Sequence, residues 1–251
     1  MASAYFEPAR PRVLAHRGLA LDVPENTPAA FAAATAVGVQ YVETDVHLSR
    51  DGVAVVAHDP ALDRVAARTE SVADLTMDEL RAVDLGAGHG FAPLDEVLDA
   101  FPTLRFNVDV KVEAAVEATV DAVRRTAAAD RVLLTSFSDA RRRRLASLVP
   151  GVATSAGRGG VIRAWAASLL GGRAMMRWAL AGADATQVPE RVGPLPLVSR
   201  RFVERVHTAG AEVHVWTVND PVDMGRLLDL GVDGLVTDRC DLALPLIRAR
   251  S

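Results

Sequence analysis

The chain has 251 residues, enough for one large domain or two small ones, and half of them are hydrophobic, so a sizeable core can be buried. Its 28 basic and 32 acidic residues leave a net charge of −4, and the basic residues are scattered, which excludes the basic footprint of a nucleic-acid-binding protein. A single cysteine, Cys240, excludes an intrachain disulfide. With no apolar secretory core in MASAYFEPARPRV and no apolar stretch near the roughly 20 residues of a membrane span, a cytoplasmic location is expected.

Taken in chain order, strand-like runs stand at RVLA (12–15), QYVETDV (40–46), VAVVA (53–57), LRFNVDV (104–110), RVLLTS (131–136), GVATS (151–155), DATQV (184–188), EVHVWTV (212–218) and GLVT (234–237). Helical patterns fall between most of them, at 27–37, 76–83, 112–129, 138–148, 199–209, 220–230 and 239–249. Strand–helix alternation over a chain of this length predicts an α/β fold, a (β/α)8 TIM barrel. One run is surplus to eight staves. It is VAVVA, because Asp51-Gly52 before it is a tight-turn signal and a tight turn joins antiparallel strands only. Residues 59–103 have weak periodicity and read as a small loop-rich insertion after the second strand. No repeat or linker composition divides the chain, so 1–251 is read as one domain.

Two segments stand apart. The run Arg141-Arg142-Arg143-Arg144 reads as a solvated helix face or as a phosphate-binding patch. Residues 161–181 hold Trp165 and Trp178. As a helix they place Arg163, Arg173 and Arg177 on one side and Trp165, Leu169, Met176 and Leu180 in a stripe on another, with Gly171-Gly172 as a candidate break. An outer barrel helix is one reading. A lid or interfacial helix touching lipid or a lipid-like substrate is the other.

Alternate residues of a strand share a face. One face of the second run carries Glu43, Asp45 and His47, and one face of LRFNVDV and the residue after it carries Asn107, Asp109 and Lys111. The opposite faces are apolar and suit packing on outer helices, which turns the polar faces into the barrel. Charges there cost several kcal/mol each unless paired or bound to a cation. Glu43, Asp45 and Asp109 are hard oxygen ligands of the kind Mg²⁺ or Ca²⁺ takes, and they sit at the strand ends where barrels of this kind carry their chemistry. The competing reading pairs Lys111 with one carboxylate and leaves the others at the rim. His16, followed by Arg17, and His58, followed by Asp59, each end a strand-like run and point to an acid/base pair beside an anion site. His207 reads as surface, and His214 as filling a barrel layer.

These stretches, AHRG with PENT, VETDVHLSRDGVAVVAHDPALDR, PLDEVL, NVDVK, HVWTVND and GVDGLVTD, resemble the glycerophosphodiester phosphodiesterases over nearly the whole chain. The resemblance implies a (β/α)8 barrel with a small insertion and metal-dependent hydrolysis of a glycerophosphodiester to glycerol 3-phosphate and an alcohol. It implies His16 and His58 as the acid/base pair, Arg17 on the phosphate, and Glu43, Asp45 and Asp109 on one divalent cation, Mg²⁺ or Ca²⁺. It also implies Lys111 as a neutralising charge and Trp216 as a pocket wall. Many relatives carry glutamate where Asp109 stands, and TDRP is commoner than TDRC at Cys240. The expected partner is a small-molecule glycerophosphodiester, with peripheral membrane or lysolipid contact through 161–181 as an open point. Two other functions are weighed: lysophospholipase D-type hydrolysis of lysophospholipids, and an inactive barrel that binds glycerophospho-compounds or membrane surfaces.

Overall fold

The computed structural model describes residues 3–250. Its strands in chain order are β1 (Arg12–His16), β2 (Tyr41–Leu48), β3 (Ala54–Val56), β4 (Arg105–Val110), β5 (Val132–Thr135), β6 (Ala153–Ala156), β7 (Ala185–Pro189), β8 (Arg191–Val192), β9 (Leu195–Pro196), β10 (Glu212–Trp216) and β11 (Gly234–Thr237). Around the barrel the order is β1-β2-β4-β5-β6-β7-β10-β11, every neighbour parallel, and β11 returns to pair with β1. Closure removes the free sheet edges that an open parallel sheet would leave. The fold is therefore the (β/α)8 barrel expected from the alternation. VAVVA is the surplus run: β3 lies antiparallel on β2, Val46 opposite Val56. The connection is Arg50-Asp51-Gly52 rather than two residues, with the Ser49 N–H bonded to the Val53 carbonyl and Gly52 at φ +82°. A three-residue hairpin of this kind places its glycine in the left-handed region.

Alternation along each stave divides the core in two. Val13, Val42, Val46, Phe106, Val108, Val110, Leu134, Val213, Val215 and Leu235 face outward into one large cluster shared with the helices. Leu14, Tyr41, Leu133, Ala153, Ala185 and Val236 fill the barrel interior around Tyr5. The floor is polar but closed. Arg12, 3% exposed, holds both Glu212 oxygens at 2.8 and 3.0 Å and the Tyr41 hydroxyl at 3.0 Å. His214, fully buried, bonds Glu212 at 3.0 Å and fills a barrel layer as expected. Its ring lies where a Cβ on Gly234 would stand, 2.7 Å from its Cδ2, so β11 needs glycine there. With the floor plugged, the C-terminal ends of the staves are left open to carry chemistry.

Three sequence expectations are altered, and one hairpin escapes the sequence reading. Within 59–103, residues 57–91 form a satellite with its own apolar cluster (Leu62, Val72, Leu75, Leu80 and Phe91), but the helix Leu94–Ala100 sends Leu94, Val97 and Leu98 into the main core and belongs to the barrel wall. Seven residues are too few to show a helical period in a sequence. Residues 161–181 are two helices, Arg158–Leu170 and Arg173–Leu180, broken at Gly171-Gly172. The break splits the expected stripe: Met176 and Leu180 are buried, while Leu169 is exposed. The arginine run is only half solvated. Arg141 donates to the Val110 and Lys111 carbonyls, and the buried Arg142 reaches the Ala181 carbonyl at 3.1 Å. The hairpin of β8 and β9 has no period long enough to be read. Among the described residues no helix is long and apolar enough to cross a membrane.

Candidate active site

A cavity of about 510 Å³ opens at the C-terminal ends of the staves. His16, Arg17, Glu43, Asp45, His58, Asn107, Asp109, Lys111 and Trp216 all line it. Every candidate residue drawn from the sequence is therefore at one place, while His47 turns away and bonds the His58 carbonyl at 3.1 Å.

Local backbone geometry explains how β1 delivers its two groups. Arg17 at φ +56° and Gly18 at φ +87° form a consecutive left-handed pair that turns the chain sharply off the strand. A Cβ on Gly18 would lie 2.7 Å from the Ala30 carbonyl carbon, so the first helix can approach only a glycine. That helix, Pro28–Ala36, is capped by the Thr27 hydroxyl, which accepts from the Ala30 N–H, with proline at its start. Asn26, just before the cap, has another part. It is buried at φ +55°, donates to Asp45 Oδ2 at 3.1 Å and accepts from the Thr44 hydroxyl at 2.8 Å. PENT thus does two jobs, starting a helix and clamping a site carboxylate.

Each histidine has its own aspartate. His16 Nδ1 lies 2.7 Å from Asp238 Oδ1, and Asn219 holds the other Asp238 oxygen at 2.7 Å. His58 Nδ1 lies 2.7 Å from Asp59 Oδ1, and Arg64 pairs with the other Asp59 oxygen. An aspartate on Nδ1 fixes the proton there and leaves Nε2 to exchange protons with a ligand. Burial would lower the His16 pKa, but the Asp238 bond and the nearby Glu43 charge raise it overall. Asp238 and Asn219 escape the sequence reading because they follow β11 and β10, far along the chain from His16. The signal was present as TDRC and VND, but no spacing rule links either to His16.

The cation-to-carboxylate balance is uneven. Lys111 Nζ sits between Asp45 Oδ1 at 2.6 Å and Asp109 Oδ2 at 2.7 Å, so it pairs with two carboxylates rather than one, and none is left at the rim. Burial opposes its charge, but the two aspartates hold its pKa above the usual lysine value. Arg17 bonds Glu25 at 2.9 Å and places Nε 3.3 Å from Asp45 Oδ2. Among the described residues Glu43 touches neither lysine nor arginine side chain; it accepts from the Arg17 N–H at 3.3 Å and lies 3.9 Å from His16 Nε2. Burial, then the Asp45 charge, pushes its carboxyl up to about 8. Asp109 Oδ1 and Asn107 Oδ1 are buried without a hydrogen-bond partner. The buried set therefore has more carboxylate than cation and acceptor atoms with nothing to accept, and the hard-oxygen chemistry fits a divalent cation. As they stand, no three acidic, histidine or cysteine side chains among the described residues are grouped closely enough to enclose one. Glu43 and Asp109 have oxygens to offer, while Asp45 would have to exchange one from Lys111 or Arg17.

The remaining wall is apolar, from Phe137, the helix Arg158–Leu170 and the hairpin β8–β9, and Trp216 stands edge-on to Phe137 with ring centroids 6.0 Å apart. Two paired histidines, two cations and three carboxylates at one mouth can bind an anionic ester and move protons on both sides of it.

Comparison with known proteins agrees. A sequence model described as the Glycerophosphoryl diester phosphodiesterase family matches residues 16–242. The chain is 41% identical over 239 residues to the Mycobacterium tuberculosis protein named "Probable glycerophosphodiester phosphodiesterase 2", covering 94% of this chain and 90% of that one. It is 29% identical to a glycerophosphodiester phosphodiesterase of Caldanaerobacter subterraneus, covering 94% and 97%. Among solved structures, an Oleispira antarctica phosphodiesterase in complex with the product sn-glycerol-3-phosphate superposes with a TM-score of 0.81 at 23% identity, covering 95% of this chain and 97% of that one. That likeness concerns the fold.

Proposed function

The chain belongs to the glycerophosphoryl diester phosphodiesterase family, and from that premise we propose that it hydrolyses glycerophosphodiesters to glycerol 3-phosphate and an alcohol by metal-dependent acid–base catalysis. The observation that carries the reading is the pair of histidines, each backed by its own aspartate and both lining the cavity that holds Arg17, Lys111 and the buried carboxylates.

A phosphodiester is anionic and repels a nucleophile. Arg17 and Lys111 offset that charge and bind the extra negative charge of the transition state. Glu43, Asp45 and Asp109 would hold one Mg²⁺ or Ca²⁺, which supplies further positive charge to the phosphate oxygens when bound. One histidine takes the proton of the attacking hydroxyl or water through Nε2, and the other gives a proton to the leaving alkoxide. Asp238 and Asp59 keep the two rings in the tautomer that this division requires. Trp216 walls the pocket beside the reacting group. An inactive barrel that merely binds glycerophospho-compounds has no need of two oriented histidines.

The test is release of glycerol 3-phosphate from sn-glycero-3-phosphocholine and related diesters. EDTA should stop turnover and Mg²⁺ or Ca²⁺ restore it. General acid–base catalysis is worth roughly 10²–10⁴-fold per group, so His16→Ala and His58→Ala should each lose at least about that factor. A nitrophenyl phosphodiester leaves without a proton and should rescue only the variant that lacks the acid. Full activity in metal-free Glu43→Ala, or in both histidine variants, would sink the proposal.

A further inference from the structure

We infer that Arg64 is a positioning residue for both halves of the reaction, holding the anion-binding Arg17 through Glu25 and the His58 ring through Asp59. The inference rests on the phosphodiesterase reading above and adds a residue to its site.

The two halves come from different loops. Arg17 and Glu25 lie between β1 and the first helix, and His58 and Asp59 lie at the start of the satellite 57–91. One guanidinium joins them. Arg64 Nη2 donates to Glu25 Oε1 at 2.5 Å, and Arg64 Nε donates to Asp59 Oδ2. Arg17 Nη1 donates to the same Glu25 oxygen at 2.9 Å, and His58 Nδ1 lies 2.7 Å from the other Asp59 oxygen. The chain Arg17–Glu25–Arg64–Asp59–His58 is therefore continuous, and the rigid planar fork of Arg64 sets the spacing of its two arms. Glu25 takes only Nη1 of Arg17, whose Nε has no hydrogen-bond acceptor. An anion entering the cavity meets a guanidinium that is anchored at one donor.

Arg64 has a fixed base. It sits in the one-turn helix Asp63–Ala66, directly after Leu62, which is fully buried in the satellite's apolar cluster and donates its N–H to the Glu70 carbonyl at 3.0 Å. The bridge itself borders open space. Glu25, His58, Asp59 and Arg64 line a second cavity of about 180 Å³, and His58 lines both cavities. Side chains beside such space are placed by their hydrogen bonds rather than by close packing. The fold by itself does not require this arrangement. Arg64 is 47% exposed and could turn to water, yet it brings a second guanidinium onto the oxygen that Arg17 already holds. Like charges converging on one carboxylate oppose each other, so the geometry costs something to keep. Burial raises the Glu25 pKa, but the Arg64 bond and the Arg17 charge bring it below the ordinary value. Burial raises Asp59 likewise, and bonds from Arg64 and His58 bring it down. Both carboxylates are ionised together, as a bridge through one cation needs.

The test compares Glu25→Gln, Asp59→Asn, Arg64→Met and Arg64→Lys in three measurements: kcat on sn-glycero-3-phosphocholine, calorimetric binding of sn-glycerol 3-phosphate, and the denaturation midpoint. Orienting partners of active-site groups are worth about 10- to 100-fold, and the exposure of Arg64 puts it at the lower end, about tenfold. Glu25→Gln should weaken glycerol 3-phosphate binding by about that factor. Asp59→Asn should lower kcat and keep the binding. Arg64→Met should do both, and adding either of the other two substitutions to it should cost little more. Arg64→Lys should stay near Arg64→Met, since one ammonium cannot reproduce a fork that spans two carboxylates. An arginine that only supports the fold would lower the midpoint without this division between binding and kcat. Parent-like kcat and binding in Arg64→Met, loss of only one of the two, or full function in Arg64→Lys overturns the inference and leaves the phosphodiesterase reading standing. A parent protein that turns over no diester overturns that reading instead. Arg64→Met should then still weaken glycerol 3-phosphate binding and release the His58 tautomer seen by NMR of the ring nitrogens, and failure of either overturns the inference as well.

Discussion

Replacing Asp238 by asparagine isolates what that residue does for His16. The substitution keeps the shape but puts a neutral amide in place of the charge 2.7 Å from His16 Nδ1. A hydrogen bond to a charged group is worth about 1.5–3 kcal/mol. Half of the Asp238 side chain is open to water, at 51%, so solvent screening reduces that to roughly 1–1.5 kcal/mol. Expressed as a barrier, kcat/KM should fall roughly 5- to 15-fold. The pH profile should move as well. Burial lowers the His16 pKa, and the Asp238 bond and Glu43 outweigh it. Without the Asp238 charge the His16 pKa falls, so the limb of kcat/KM that His16 controls shifts toward acid. A shift of the acidic limb identifies His16 as the base, and a shift of the basic limb identifies it as the acid. Steady-state rates across pH on sn-glycero-3-phosphocholine provide the assay, and a denaturation midpoint close to the parent's shows that the fold is intact. Unchanged kcat/KM with both limbs in place would refute the orienting role.

Glu212→Gln should lower the unfolding free energy near pH 6 by about 3 kcal/mol, because it leaves the buried Arg12 guanidinium with a neutral partner, as urea melts would show. The parent should also lose stability in acid where the variant does not. Burial raises the Glu212 pKa, but bonds from His214 and Arg12 pull it down to about 2, against an ordinary 4.5. The stabilisation is therefore full above about 4.5 and drains as pH falls toward 2, which melts at several pH values would trace. Gly18→Ala should cost about 1–3 kcal/mol and displace Arg17, since φ is +87° and the new methyl would meet the Ala30 backbone at 2.7 Å; unchanged stability and KM would count against that account. Asn26→Ala should strip Asp45 and Thr44 of a buried partner at a cost of about 1–3 kcal/mol, and a double-mutant cycle with Thr44→Val would measure how much of it is shared.

By itself the sequence determined whatever depends on local period and local turns. Period-two alternation placed Glu43 and Asp45 on one face of a strand and Asn107 and Asp109 on one face of another, opposite valines, because neighbouring side chains of an extended chain must point apart. It also placed His16 before a glycine turn and His58 at the end of a hairpin strand, and the count of runs implied eight parallel staves and one antiparallel neighbour. Tertiary structure decided which groups meet. Asp238 lies 222 residues from His16 along the chain and becomes its neighbour only because β11 closes onto β1. Lys111 bridges two carboxylates rather than one because β2 and β4 pair with Asp45 opposite Asp109. Asn26 of PENT reaches Asp45 only because the first helix packs against Gly18. Arg142, legible as a surface charge, was buried when its helix met the end of the next helical pair. In each case the missing information was register or closure, which is set by contacts between distant segments and leaves no period in the residues that make them.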